Sequence, residues 1–263
     1  MRELALFAGA GGGILGGVLL GWRTVCAVEI NAFCARRLMQ RQNEGHLPPF
    51  PIWDDVCSFD GRPWRGAVDV VSGGFPCQDI SIAGKRAGIH GERSGLWFHM
   101  ARVIRDVGPR FVFVENSPNL ARAGLDVVLS NLASMGYDAQ WGVLGADNAG
   151  APHSRKRIWI VAHSDSEQEL QSQRGEQKQW ERSSYGSQMG DSAEQRLQGL
   201  PWENSLRKRR ISVKSPASSW WATEPQLGRM AHGVAYRVDR LKAIGNGQVP
   251  AVVAGAWEVL HDD

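Results

Sequence analysis

Cysteine is scarce in this chain, with four among 263 residues, and they show neither a Cys-x-x-Cys pair nor a regular spacing. That argues against a disulfide scaffold or a zinc site and for a reduced environment. Long apolar runs are also missing. Leu4 to Ala8 is broken by glycines and is far too short for a signal sequence or a membrane span. The net charge of +3 is too small to imply a polyanionic partner, although it leaves room for a local basic face. These absences lead us to expect a soluble, cytoplasmic protein with no bound metal, which we take to be monomeric. The length suits one large α/β domain, with or without a small appendage. Glycine (31) and tryptophan (11) are abundant, in keeping with many tight loops and several aromatic contact surfaces.

The stretch Gly73-Gly74-Phe75-Pro76-Cys77-Gln78 follows the apolar run Val68 to Ser72. A β-branched run ending in paired glycines reads as a buried parallel strand entering a tight loop, and ligands bind at that carboxyl edge in open α/β sheets. Cys77 is thus set where chemistry takes place, while Cys26, Cys34 and Cys57 read as small buried hydrophobes. Phe111 to Asn116 repeats the pattern. Its acid, Glu115, follows four apolar residues and is expected in a pocket at the same sheet edge, where its pKa rises.

At the start of the chain, Leu4 to Ala8 reads as a strand, followed by a glycine turn and an apolar helix through Leu20. Gly11, Gly13 and Gly16 satisfy G-x-G-x-x-G, a spacing that suits a nucleotide-like ligand at a helix N-terminus. A second strand, Arg23 to Val28, ends at Glu29, the spacing of a ribose-binding carboxylate, which both a dinucleotide and S-adenosylmethionine would use. Asn31 is expected to cap a helix through about Asn43. Trp53 to Val56 reads as a strand end whose acids include Asp55, suited either to an adenine amino group or to a solvated turn. Further helices are expected over Leu96 to Val107 and about Gly124 to Met135, with a strand around Gln140 to Leu144. Arg155 and Arg157 are expected to alternate on one face of an entering strand and point into one cleft. Gly245 to Pro250 reads as a tight turn, with Pro250 opening an apolar helix to Leu260.

Two segments carry cations. Asp79 to Gly95 is a long polar loop with Lys85, Arg86 and Arg93, which can close over a phosphate backbone. Residues 164–224 are rich in Gln, Ser, Glu and Arg and poor in aliphatics, so they form little core. Arg207, Lys208, Arg209 and Arg210 lie there among Trp202, Trp220 and Trp221, a mixture that suits nucleic acid as well as a disordered insert.

In order and spacing, Phe7-Ala8-Gly9-Ala10-Gly11-Gly12, Glu29, Asp55, Pro76-Cys77-Gln78, Glu115-Asn116, Arg155-x-Arg157 and Gly245-Asn246 resemble the DNA cytosine-5 methyltransferases of restriction-modification systems and phages. The resemblance implies a Rossmann-like, S-adenosylmethionine-dependent α/β fold with a mostly parallel sheet. Residues 1–163 would form the catalytic and cofactor-binding domain, 164–224 a short target-recognition region, and 225–263 a segment returning to the catalytic domain. It also implies that Phe7, Gly9, Gly11, Gly12, Glu29, Asp55, Pro76, Asn246 and Gly247 hold the cofactor. Cys77, Glu115, Arg155 and Arg157 would act on cytosine. Gln78, Ser81, Lys85, Arg86, Arg93 and the 207–210 cluster would touch double-stranded DNA, in a bacterial or phage-infected cell.

The chemistry agrees with that assignment. Cytosine C5 is too weak a nucleophile to take a sulfonium methyl unaided, so a thiolate must first add at C6. A proton or hydrogen bond at N3 from Glu115 stabilises the resulting charge, with Arg155 near the O2 edge. The reacting atoms are inaccessible in a stacked duplex, so the base must be flipped out. Departures from the family pattern are Ala5, His153, Ser117 and Gly247-Gln248-Val249-Pro250, none of which removes a bond-making group. A tRNA cytosine methyltransferase would use the same catalytic set, but the insert lacks that branch's Cys-Phe-Thr signature. A nicotinamide oxidoreductase or a silent DNA-binding relative accounts for fewer of these residues.

Overall fold

The computed structural model describes residues 1–76, 95–164 and 237–261. Seven strands form one sheet: β1 (Arg2–Leu6), β2 (Arg23–Val28), β3 (Ile52–Trp53), β4 (Val70–Gly73), β5 (Phe111–Asn116), β6 (Tyr137–Leu144) and β7 (Arg157–Ser164), in the order β3-β2-β1-β4-β5-β7-β6. The first five pair in parallel, and β7 runs antiparallel to both β5 and β6. The helices are α1 (Gly12–Leu19), α2 (Ala32–Asn43), α3 (Leu96–Val107), α4 (Leu125–Ser134), α5 (Arg237–Asn246) and α6 (Pro250–His261).

Both sheet faces are covered, and side-chain alternation sorts the core accordingly. Leu4, Leu6, Val71, Val112, Val114, Ile158 and Ile160 share one apolar cluster with Met100 and Ile104 of α3 and Val128 and Leu132 of α4. Their neighbours in sequence face the other way. Val70, Phe111, Phe113, Trp159 and Val161 cluster with Trp22 and with Val253, Trp257 and Leu260 of α6. Ala5 and Ala27 meet Ile14 of α1 and Leu38 of α2. Trp257 anchors the α6 face through edge-on packing against Trp22 (4.7 Å between ring centroids), Phe111 and Phe113 (both 5.4 Å).

Local signals account for several boundaries. The Asn31 side chain accepts the amides of Phe33 and Cys34, fixing the start of α2. Gly108, with φ 58°, ends α3 in the left-handed conformation, and Arg65 donates to the last carbonyls of that helix, Arg105 and Asp106. Gly16 lets α1 and α6 meet, because a Cβ there would lie 2.5 Å from Val253 Cγ1 and 3.1 Å from the Pro250 carbonyl.

Two expectations need correction. Gly245 and Asn246 do not form a tight turn; they are the last residues of α5, a helix that sequence periodicity did not indicate. Arg155 does not lie on the entering strand, which begins at Arg157, and it has a left-handed backbone with φ 31°.

Candidate active site

Strand register builds the site. Leu6 pairs with Val28 and with Gly73, and Gly73 pairs with Val114, so four strand ends stand abreast. The residues that follow them, Phe7, Glu29, Gly74 and Glu115, all open on one edge, where the strand order reverses direction at β1. There a cleft of about 590 Å³ is lined by Phe7 and Gly9 after β1, Glu29 to Asn31 after β2, and Asp55 and Val56 after β3. Gly74, Phe75 and Pro76 line it after β4, and Glu115, Asn116 and Ser117 at β5. Arg157 closes one side, and Asp239, Lys242, Ala243, Asn246 and Gly247 bring in α5 and its exit.

One end of the cleft is set by backbone geometry. Phe7 has φ 52°, uncommon for a bulky residue and a mark of local strain. Glu29, nearly buried, accepts the Gly9 amide at 2.6 Å and the Asn31 amide at 2.7 Å, tying the β1 loop to the end of β2. Asp55 accepts the Cys57 amide at 2.8 Å. Its loop is clamped by Arg102 of α3, which donates at 2.8 Å to the carbonyls of both Val56 and Phe59. A ring, two strand-end carboxylates and the Gly9 backbone in a cleft of this size fit an aromatic, ribose-bearing ligand.

At the other end, Glu115 meets Arg157, whose Nε is 2.8 Å from Oε1, while Gln248 Nε2 is 3.3 Å from Oε2. Burial pushes the Glu115 carboxyl pKa up, and the two arginines and the amide only partly oppose this. Buried Asn116 donates to the Phe75 carbonyl at 3.1 Å, which binds the loop after β4 to the end of β5. Glu115-Asn116 is thus a carboxyl aimed at the cleft beside an amide that holds its wall.

The structure separates other residues of the expected set. Arg155 places Nη2 at 2.6 Å from the carbonyls of both Gly245 and Gly247, so it fastens the exit of α5, and Arg157 is the arginine beside Glu115. Gly11 and Gly12 are not among the cleft-lining residues: a Cβ on Gly11 would meet Leu38 Cδ2 at 2.9 Å, and one on Gly12 would strike the Gln248 backbone. Cys77, Gln78, Ser81, Lys85, Arg86 and Arg93, and Arg207, Lys208, Arg209 and Arg210 with Trp202, Trp220 and Trp221, lie outside the described residues. Sequence reasoning missed Asp239 and Lys242. Their i, i+3 spacing, which puts both on one helical face, was the available signal. Among the described residues no cluster of metal-ligating side chains occurs, and no helix is long and apolar enough to cross a membrane.

Comparisons with known proteins agree with this architecture. The chain is 35% identical over 164 residues to the type II methyltransferase M.Eco47II of Escherichia coli, and 34% over 163 residues to M.CviJI of Paramecium bursaria Chlorella virus IL3A. It is 31% identical over 165 residues to M.HhaI of Haemophilus parahaemolyticus. These alignments take in 60%, 61% and 61% of this chain but 38%, 42% and 48% of the relatives, so the chain spans less than half the length of each. Among solved structures, Spodoptera frugiperda DNMT2 (19% identity) and S. pombe Dnmt2 (21%) each superpose with a TM-score of 0.51, over 62% and 63% of this chain and 50% of theirs. They share its α/β methyltransferase fold. The family model described as C-5 cytosine-specific DNA methylase matches residues 1–246, nearly the whole span that builds the cleft, and on that match the chain belongs to this family.

Proposed function

We propose that this protein transfers a methyl group from S-adenosylmethionine to C5 of a cytosine flipped out of double-stranded DNA, through a covalent bond between Cys77 and C6. The observation that carries the reading is the largely buried Glu115 carboxyl, held by Arg157 at the sheet edge where Phe7, Glu29 and Asp55 also open. Pro76, the residue to which Cys77 is bonded, lines the same cleft.

When bound, S-adenosylmethionine supplies an activated methyl group. Phe7 would lie against its adenine, Asp55 near the adenine amino group, and Glu29 on the ribose, with Gly9, Asn246 and Gly247 around it. The cytosine would enter from the Glu115 side. The Cys77 thiolate would add to C6, and the electron density it delivers to the ring would be met at N3 by a proton or hydrogen bond from Glu115, whose carboxyl pKa burial raises. Arg157, paired with the other carboxyl oxygen, would take the place near the O2 edge first expected of Arg155. C5 would take the methyl group, the N3 proton would return to Glu115, a base would remove the C5 proton, and the C5–C6 double bond would re-form as Cys77 departs as thiolate. Arg155 would act at one remove, by fixing the Gly245 and Gly247 carbonyls at the exit of α5. Lys85, Arg86, Arg93 and the 207–210 cluster would carry the DNA contacts.

The test is transfer of labelled methyl to unmodified double-stranded DNA by wild type and Cys77→Ala, with bisulfite mapping of the product. Label at cytosine C5 in wild type and none in the variant is the expected result. Tight S-adenosylhomocysteine binding without transfer to DNA refutes the reading and makes structured RNA the next substrate.

A further inference from the structure

The glycines that read in sequence as a nucleotide loop enclose a protein side chain. A Cβ on Gly13 would collide with Gln248 Oε1, and a Cβ on Gly74 would lie 3.1 Å from Gln248 Nε2 and 2.5 Å from Glu115 Oε2. Gly12 makes the same kind of room for the Gln248 backbone. Arg155 fixes the Gly247 carbonyl immediately before it. The first turn of α1, the loop after β4 and the exit of α5 thus form a mould around a single amide. That amide points at the carboxyl oxygen that Arg157 leaves free.

We infer that Gln248 is a positioning residue for Glu115: it holds Oε2 toward the base while leaving the carboxyl able to carry a proton. This rests on the reading of Glu115 as the group facing cytosine N3. A neutral amide suits the task because it can donate to the ionised carboxylate or, turned over, accept from the acid. A further cation there, added to Arg157 at 2.8 Å from Oε1, would favour the ionised form more strongly. Among the described residues, the charged groups around Glu115 include Arg157 of β7, Arg155 just before it, and Glu3 of β1, which shares a small cavity of about 10 Å³ with Glu115, Gln248 and Trp159. Gln248 gives Glu115 an orienting bond that adds no charge to this set.

The test is steady-state kinetics of the full chain as a function of pH for wild type, Gln248→Leu, Gln248→Glu and Gly13→Ala, together with the pH dependence of thermal unfolding. Gln248→Leu is expected to lower kcat about tenfold, the scale of one hydrogen bond to an ionisable group, with KM for S-adenosylmethionine and for DNA within about twofold. Gly13→Ala, which displaces the amide without touching Glu115, should reproduce that loss. Gln248→Glu, the isosteric change, puts a second carboxyl against the first. It should raise the alkaline limb of the kcat profile by about one pH unit and make Tm fall more steeply with pH than in wild type. An unchanged kcat, or a loss confined to the KM for cofactor, overturns the inference and leaves Gln248 as a prop for the turn. If wild type methylates no cytosine, the proposed function fails but the unfolding data still decide the juxtaposition: a Gln248→Glu slope equal to that of wild type refutes it.

Discussion

Glu3 offers a direct test of how burial sets charge in this fold. Its side chain is 1% exposed, and its oxygens accept the hydroxyls of Ser72 at 2.6 Å and Thr24 at 2.7 Å. Burial raises its pKa from 4.5 to about 6, the two hydroxyl donors only partly opposing the shift. A carboxyl whose pKa is higher in the folded state binds more protons folded than unfolded. Its contribution is therefore fully present below the unfolded value and is lost as pH rises through the folded one. At 1.36 kcal/mol per pH unit, the shift from 4.5 to about 6 corresponds to about 2 kcal/mol. Glu3→Gln keeps the shape and an acceptor but cannot ionise, and either hydroxyl can turn to accept from its amide. Urea unfolding of both proteins should show wild type losing about 2 kcal/mol relative to the variant between about pH 4 and about pH 7. Other titrating groups cancel in the difference. A difference flat to within about 0.5 kcal/mol across that range would refute the reasoning and show that the hydroxyls offset the burial.

Two other sites yield predictions. Gly16→Ala presses a methyl group into Val253 and the Pro250 carbonyl, and should cost about 1–3 kcal/mol, read as a lowered Tm; Val253→Ala in the same chain should recover part of it, and strict additivity of the two would count against the contact. Arg102→Ala frees the carbonyls of Val56 and Phe59 and should lower stability by about 1 kcal/mol. It should also weaken S-adenosylhomocysteine binding several-fold in calorimetry, because the Asp55 loop is no longer held; unaltered affinity would dissociate that loop from the cofactor.

Most strands and helices were legible because local signals and tertiary needs agreed. The runs at Phe111 and Ile158 are apolar on both sides and are buried on both sides, and the Asn31 cap does what its side chain suggests. The edge that carries Glu29, Asp55 and Glu115 was legible too, since parallel strands bring their ends together. What sequence could not show was what each glycine makes room for: Gly12 and Gly13 admit Gln248, and Gly16 admits Val253, partners more than 230 residues away. Helix α5 was hidden for a related reason. Its sequence is largely polar and ends in Gly245-Asn246, which locally favours a turn. Its last turn is secured from outside, by the Arg155 guanidinium on the Gly245 carbonyl. Arg155 itself was misplaced because alternation predicts direction only where the strand continues, and β7 starts two residues later.

The packing of α6 against α1 has a consequence for synthesis on the ribosome. When β7 has just emerged, Trp22, Phe111, Phe113 and Trp159 already exist but the helix bearing Val253, Trp257 and Leu260 does not. At ordinary elongation rates the intervening stretch takes on the order of 5–20 s to make, long compared with the folding of a small domain. During that interval the nascent protein presents a broad aromatic face to solvent. Chaperone capture of stalled chains should accordingly rise once β7 is out and fall sharply when residues 250–261 emerge.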